Sequence, residues 1–249
     1  LGIIARPSTR SERDTREPTP VRFTAARLAL IVSVLLIVAG LIYPIAGTPS
    51  RLDNHMQGSP TMLTLNGFAW MNGSSIESAS GQLIDFTGDY AAILWLRQHD
   101  GNNGVIAEAS IGPYRGDGSR ISSGTGLPTV LGWDSHQRQQ RYWPGIDRRL
   151  TDLWTLYNST DLTTKRHLLQ QYDVRYVIVG DVERYWVPEA GFAGKANGVS
   201  PYASPTGLAA FESMVGSDLR VAFQSGDTTV FEVIPFPSLP PARSAKAGS

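Results

Sequence analysis

Hydrophobic residues form one uninterrupted run near the start of the chain. Residues 28–50 contain no charged residue, and the first part of that run has the sequence LALIVSVLLIVAGLI. A helix rises about 1.5 Å per residue, so about 20 residues cross the roughly 30 Å hydrocarbon core of a bilayer. The run is apolar on every face, which is typical of a helix surrounded by lipid. The pattern predicts a transmembrane helix over residues 28–46, and we expect Pro44 and Gly47 to stop it.

Charge is distributed unevenly on the two sides of this run. The formal net charge is zero, but residues 1–27 hold six Arg and three acidic residues, whereas residues 51–249 hold 16 basic and 19 acidic residues. By the positive-inside rule, residues 1–27 form a cytoplasmic polar segment and residues 51–249 lie outside the plasma membrane. The absence of a basic surplus argues against a nucleic-acid partner. The chain has no Cys, which excludes disulfides and Cys-ligated metal sites.

The first residues of the chain suggest a longer protein. The sequence begins with Leu1 rather than Met, and residues 1–5 are mostly apolar. We therefore expect the C-terminal part of a polytopic membrane protein, whose partners are membrane lipid and the remaining transmembrane helices of the same protein. A start codon just before Leu1 would instead make this a single-pass protein.

Beyond the apolar run, alternating helix and strand patterns predict one extracytoplasmic α/β domain over residues 89–234. Helices are predicted at residues 89–98, 147–158, 161–172 and 205–215, and strands at residues 105–109, 174–180, 219–224 and 229–234. The last two strands flank a turn and predict a hairpin. The fold class is therefore α/β, a small sandwich with a mixed sheet and a C-terminal hairpin. An extended lead-in is expected at residues 47–88 and a disordered tail at residues 235–249.

Side chains suited to chemistry are densest between Glu108 and Arg149. Residues 115–149 hold six Arg against three acidic residues, within and after a long Gly-rich loop at residues 112–132. The planar guanidinium suits phosphate or carboxylate, and aromatic faces suit sugar rings or apolar tails. Long loops in compact domains are more often functional than idle. The competing interpretation is that these Arg pair with nearby acidic residues, namely Asp117, Asp134 and Asp147, and hold the loop in place.

The predicted site contains eight residues. His136 is the candidate for proton transfer, although a lone His in a polar loop also serves as a simple hydrogen-bonding group. Glu108, at the C-terminal end of a predicted strand, is the second catalytic candidate. The predicted substrate-binding residues are Arg120, Ser122, Thr125, Trp133, Arg141 and Arg148. The remaining His residues show no ligand spacing, and there is no phosphate-binding Gly loop and no Gly-x-Ser-x-Gly motif, so no metal and no cofactor are predicted.

One segment carries a family resemblance. The sequence RISSGTGLPTVLGW at residues 120–133, followed by His136 and Arg141, resembles the signature of the YYY-type membrane proteins. Flanking segments that agree lie at residues 65–71, 92–96, 108–109, 172–180 and 183–184, so the resemblance covers roughly residues 28–234. The chain departs from the pattern at Gln137, where the family has an acidic residue directly after the His.

The resemblance implies a function. YYY-type proteins are large, mostly uncharacterised polytopic proteins of bacteria and archaea, similar in architecture to membrane glycosyltransferases that use polyprenyl-phosphate sugars. The resemblance therefore implies a glycosyltransferase-like role, which would be enzymatic within a full-length protein. In that role the outer domain supplies Arg and aromatic contacts to a phosphate or a glycan. The alternative is a non-catalytic extracellular domain that binds glycan or protein on a single-pass anchor.

Overall fold

The computed structural model describes residues 20–50, 64–99, 104–111, 118–140 and 144–235. The chain divides into two compact units, Leu1–His55 and Met56–Ser249. Most of the predicted cytoplasmic segment and almost all of the predicted C-terminal tail lie outside the described residues, as does Arg141 of the predicted site.

The described part of the first unit is helical throughout. Helix α1 (Pro20–Ile42) is followed by a π-helical turn (Tyr43–Gly47), and helical backbone continues to Ser50. Residues Thr24–Ser50 are long and apolar enough to cross a membrane, judged by length and composition. This agrees with the apolar run as a candidate membrane span.

The expectation that Pro44 and Gly47 stop this helix is wrong. The backbone N–H of Thr48 donates to the carbonyl of Tyr43, five residues earlier, so a π turn replaces the regular helical bonds at this point. Proline has no N–H to donate, and single π turns occur inside α-helices, so helical backbone continues past Pro44 to Ser50.

A mixed sheet forms the centre of the second unit. The strands described are β1 (Ser75–Glu77), β2 (Leu83–Asp85), β3 (Val105–Ala107), β4 (Val174–Val179), β5 (Leu219–Ser225) and β6 (Thr228–Val233). Four of them pair in the order β3-β4-β6-β5, with β3 parallel to β4 and the other pairs antiparallel. This confirms the α/β fold class, with a mixed sheet closed by the predicted C-terminal hairpin β5–β6.

Helices surround the sheet at most of the predicted positions. Those described after α1 are α2 (Thr87–His99), α3 (Arg120–Thr125), α4 (Asp134–Gln140), α5 (Gly145–Asn158), α6 (Leu162–Gln171), α7 (Asp181–Tyr185) and α8 (Pro205–Ser213). Asp161 caps the start of helix α6, as predicted, and its carboxylate accepts the N–H groups of Thr163 at 3.0 Å and Thr164 at 3.2 Å.

Two segments differ from the prediction. The predicted lead-in contains the antiparallel hairpin β1–β2, which pairs Ile76 with Ile84. The predicted Gly-rich loop contains α3, and α4 follows it directly. Both helices are short and have mainly polar sequences, so neither shows the apolar periodicity from which a helix is predicted.

The buried face of α5 connects these helices to the sheet. Ile146, Leu150, Leu153 and Leu156 recur at helical spacing and are buried. The hydroxyl of Tyr157 lies 2.9 Å from the carbonyl oxygen of Ala107 in β3 and 2.7 Å from that of Ile178 in β4. The core therefore fixes the end of β3, after which the predicted site begins.

Candidate functional site

Glu108, directly after β3, holds the first turn of α3. Its Oε2 accepts the N–H of Ile121 at 2.9 Å, and its Oε1 accepts the N–H of Ser122 at 3.0 Å. These are N–H groups that have no partner within a helix, so a carboxylate at this point stabilises the helix start. The structure therefore explains why the sequence RISSGT, which contains Ser and Gly, is helical.

Arg120 is buried inside a cluster of carboxylates. Its side chain is 1% exposed, and its Nη2 lies 2.9 Å from Glu183 Oε2 while its Nε donates to Asp89 Oδ2. A third carboxylate oxygen, Oε2 of Glu108, lies 3.9 Å from Nη1. A buried guanidinium is stable when it is paired in this way. Removing either the guanidinium or its carboxylate partners would leave a buried charge uncompensated.

The same carboxylates bind the ends of several elements. Glu183 accepts the N–H of Ala109 at 2.8 Å and the N–H of Gly180 at 2.9 Å, so it joins the chain after β3 to the chain after β4. Asp89 at the start of α2 accepts the hydroxyl of Thr228 in β6 at 3.0 Å. A Cβ on Gly180 would lie 2.6 Å from Asp89 Oδ1, so glycine is required there. The cluster of Asp89, Glu108, Arg120 and Glu183 is called the Arg120 cluster below.

Burial and charge act in opposite directions in the Arg120 cluster. Burial raises the pKa of Glu108 to about 7, although the Arg120 charge and the two backbone N–H groups lower it. Burial also raises the pKa of Asp89 against the opposing effect of Arg120. Burial alone would lower the pKa of Arg120, but the three carboxylates raise it well above its ordinary value. Arg120 is therefore charged at any physiological pH, and Glu108 is close to its midpoint of ionisation at neutral pH.

A second group of predicted residues lies at the start of α4. Trp133 is half-buried, and its Nε1–H donates to the carbonyl of Gly118 at 2.8 Å. The exposed ring of His136 lies 5.4 Å from the Trp133 ring, edge to face. Between them in sequence, Asp134 is 7% exposed, and within the described part of the chain its Oδ1 has no hydrogen-bond partner. Trp133, Asp134 and His136 are called the Trp133 surface below.

The hydroxyl groups of the predicted site bond within the loop. Ser122 Oγ donates to the carbonyl of Leu127 at 2.7 Å, and Thr125 Oγ1 donates to the carbonyl of Ile121 at 2.7 Å. These bonds close the end of α3 and fix the chain that leads to Trp133. The substrate-binding role of Ser122 and Thr125 stays a prediction.

The arginines that follow the loop differ in their partners. Arg138 lies 2.7 Å from Asp147 and 3.5 Å from Asp134, which is the pairing expected under the competing interpretation. The side chain of Arg148 is 72% exposed and lies 3.7 Å from Asp152. Exposed pairs of this kind contribute little energy, so this guanidinium is accessible to a ligand.

The structure thus brings some of the predicted residues together in two groups. Glu108 and Arg120 belong to the Arg120 cluster, where Glu108 also accepts the N–H of Ser122, and Trp133 and His136 meet in the Trp133 surface. Thr125 and Arg148 lie in neither group. Arg120 and Glu108 are both buried. The cluster must therefore open before Arg120 can contact a phosphate in solvent or Glu108 can transfer a proton to a substrate. Among the residues that the structure describes, no group of three metal-ligating side chains could hold a metal ion.

Comparisons with known proteins found one solved structure to report. No protein-family model matches this sequence, and no curated protein matches it. A similar solved structure is the crystal structure of the C-terminal globular domain of an oligosaccharyltransferase from Archaeoglobus fulgidus. It has a TM-score of 0.37 and 14% sequence identity, and the match covers 58% of this chain and 95% of that chain.

Sequence reasoning missed three carboxylates of these two groups. Asp89 was expected only near a helix start, Glu183 was assigned no role, and Asp134 was considered only as a partner for Arg. One signal in the sequence bears on Glu183. It comes shortly after β4, as Glu108 comes directly after β3, and parallel strands bring their carboxyl ends to one edge of a sheet.

Proposed function

We propose that this chain belongs to a membrane-anchored, glycosyltransferase-like protein whose outer domain contacts a sugar ring at the Trp133 surface. The donor class is a polyprenyl-phosphate sugar or a glycan derived from it. In this proposal α1 crosses the plasma membrane beside other transmembrane helices of the same protein and membrane lipid. The N-terminal segment is cytoplasmic, and residues 51–249 are extracytoplasmic.

The observation that carries the proposal is the geometry of the Trp133 surface. The hydrogen bond from Trp133 Nε1 to Gly118 fixes the indole, and the residue is only half-buried. A fixed aromatic face beside polar groups binds a ring that is apolar on its faces and polar at its edge, as a pyranose is. The exposed imidazole of His136 is placed to exchange hydrogen bonds with hydroxyl groups at that edge.

Asp134 supports the same assignment. Its Oδ1 is buried, and no residue in the described ranges donates a hydrogen bond to it, which costs free energy unless another donor reaches it. A sugar hydroxyl is such a donor, and a carboxylate accepts it strongly. Asp134 therefore joins Trp133 and His136 as a proposed sugar-contacting residue, although the sequence alone did not suggest it.

Arg148 is the proposed contact for the phosphate. It is exposed and weakly paired, so binding a phosphate there breaks only one weak ion pair. The same role for Arg120 requires the loss of buried ion pairs to Asp89 and Glu183, so we propose Arg120 as a clamp only in an opened state of the loop.

The proposal is tested by sugar binding to the full chain in detergent micelles. Saturation-transfer NMR with methyl pyranosides and with glucose 1-phosphate measures which ligand protons contact the protein. We expect Trp133→Ala to weaken pyranoside binding by about tenfold, the loss of one aromatic contact. Arg148→Ala should weaken only the sugar phosphate, because the neutral glycosides carry no charge for it to bind.

His167→Ala is the matched control for His136→Ala, because His167 is also an exposed histidine on a helix. We expect the His136 variant to weaken pyranoside binding and the His167 variant to leave it unchanged. Circular dichroism and thermal unfolding confirm that each variant is folded. Equal binding of pyranosides by the wild-type and Trp133→Ala chains would contradict the proposal.

A further inference from the structure

A second candidate site is a cavity of about 240 Å³ that contains no residue of the Trp133 surface. It lies between the end of β2, the start of α2, the β5–β6 turn and the start of α7. Among the described residues, three carboxylates line it, those of Asp85, Asp181 and Asp227, and none of the described lining residues is basic. The described lining of the cavity therefore carries concentrated negative charge.

Asp181 is the buried member of this group. It is 7% exposed, and its Oδ2 accepts the N–H of Asp85 at 3.0 Å. Its other oxygen, Oδ1, is buried and has no hydrogen-bond partner among the residues that the structure describes. A buried carboxylate oxygen without a donor is costly, so it indicates that a donor group binds there.

Electrostatics are consistent with this inference. Burial raises the pKa of Asp181, and the charges of Asp227, Asp89 and Asp85 raise it further, although the N–H of Asp85 lowers it. The negative charges of three carboxylates thus act on the buried carboxyl group of Asp181. A bound positive charge would relieve this repulsion and favour the ionised form of Asp181.

Size and geometry decide the kind of cation. Calcium and magnesium need several oxygen ligands within about 2.6 Å. No group of three acidic or His side chains among the described residues is arranged to hold such an ion. The cavity has room for a group of several heavy atoms, which can donate from more than one N–H to acceptors that are farther apart.

We propose that this cavity binds an organic cation with N–H donors, a guanidinium or a primary ammonium group, which donates to Asp181 Oδ1. Asp85 and Asp227 at the exposed rim attract it. Thr228 lines the cavity and donates to Asp89, so the site adjoins the Arg120 cluster. The ligand is a small amine or guanidine, or the basic side chain of a polypeptide.

The test uses the full chain in detergent micelles, labelled with [¹⁵N]glycine. Amide signals of Gly88 and Gly226 report on the cavity, and that of Gly198, which does not line it, is the internal control. The probes are methylguanidinium and methylammonium chloride at constant ionic strength. We expect saturable chemical-shift changes at Gly88 and Gly226. The Kd should be on the order of millimolar, the affinity expected from a few charge-assisted hydrogen bonds. Tetramethylammonium, which has the same charge and no N–H, should give none.

Variants assign the binding to the cavity. Asp181→Asn keeps an oxygen for the Asp85 N–H but loses the charge, and we expect it to raise the Kd by about tenfold. Asp227→Asn, on an exposed turn where folding is insensitive, should raise the Kd less. Glu189→Gln is the matched control, because it removes an exposed carboxylate that does not line the cavity, and it should have no effect.

The remaining measurements distinguish a polypeptide side chain from a small molecule as the source of the cation, and organic cations from calcium or magnesium. Tighter binding of a Gly-Arg-Gly tripeptide than of methylguanidinium assigns the site to a polypeptide side chain, and equal binding assigns it to a small molecule. Saturation by calcium or magnesium chloride with no effect of the organic cations overturns the proposal. An unchanged Kd in both Asp181→Asn and Asp227→Asn also overturns it.

Discussion

Two buried cations in the same domain differ in how their charge is compensated. Arg120 is 1% exposed and ion-paired with carboxylates on both sides. Lys165 in α6 is fully buried, and no carboxylate among the described residues forms an ion pair with it. Its Nζ donates to the carbonyl of Leu156 and lies 3.5 Å from the centre of the Phe211 ring.

The difference determines which of the two side chains keeps its charge. Carboxylates raise the pKa of Arg120 well above its ordinary value despite its burial. Burial without such a partner lowers the pKa of Lys165 to about 7. A carbonyl oxygen and an aromatic ring are therefore too weak to hold a full charge in the core, whereas a group of carboxylates does so.

Arg120→Met should give the largest loss of stability. It leaves the carboxylates of Asp89, Glu108 and Glu183 buried without a cation, and we expect the free energy of unfolding to fall by about 3–5 kcal/mol. Urea unfolding of the full chain in micelles, followed by tryptophan fluorescence, measures it. Arg148→Met is the matched control and should change stability by less than about 0.5 kcal/mol, because that side chain is exposed. Similar losses in the two variants would refute the assigned role of the Arg120 cluster.

The second prediction concerns pH and Glu108. The pKa of Glu108 is raised from 4.5 to about 7 in the folded chain, so between these values the folded chain holds a proton that the unfolded chain has lost. Stability contributed by this group is complete below pH 4.5 and is lost as the pH rises to 7, by up to about 3 kcal/mol. Glu108→Gln should make the fall between pH 4.5 and 7 shallower. Parallel curves for the two chains would show that Glu108 ionises normally.

Lys165 should show the opposite dependence at higher pH. Its pKa is lowered from 10.5 to about 7, so above pH 7 the folded chain has lost a proton that the unfolded chain keeps. Stability from this group therefore rises between pH 7 and about 10. In Lys165→Met this rise should disappear, and at pH 7 we expect the variant to be more stable by about 1 kcal/mol, because an apolar side chain is not penalised by burial. Unfolding curves at pH 7 and pH 9 measure both effects; a rise that persists in the variant would assign it to another group.

Thr228→Val tests a single hydrogen bond of the Arg120 cluster. The variant keeps the shape of the side chain but removes the donor to Asp89 Oδ1. We expect a loss of about 1.5–3 kcal/mol, the usual value for a hydrogen bond to a charged group. Thr163→Val, at an exposed position in α6, is the control and should have a smaller effect. A loss as large as that of Arg120→Met would mean that the substitution disturbs packing as well.

The fold was largely predictable because its main elements have strong local signals. The strand at residues 174–180 is rich in β-branched residues, and the α6 start at Asp161 has a capping side chain. Helix α3 had no such signal, because its stability comes from the carboxylate of Glu108, which lies 13 residues away from the Ile121 N–H that it accepts. The periodicity of apolar residues reflects local sequence, so it does not predict tertiary contacts of this kind.

The site was less predictable for a related reason. Six Arg in one stretch suggested a common role, but the structure gives Arg120 and Arg148 opposite environments, one buried and one exposed. Which arginine is buried depends on Asp89 and Glu183, which are distant in sequence. The chemical class of a residue could be inferred from the chain, but its solvent exposure could not.

The Arg120 cluster also has a consequence for folding kinetics. Its hydrogen bonds join residues that are 31, 63 and 139 positions apart in the sequence. Contacts of such long range are costly in chain entropy and form after local helices and hairpins. We therefore expect the cluster to form after the folding transition state, so that losing Arg120 accelerates unfolding more than it slows refolding. The lifetime of the folded domain, more than its rate of formation, would then depend on these four side chains.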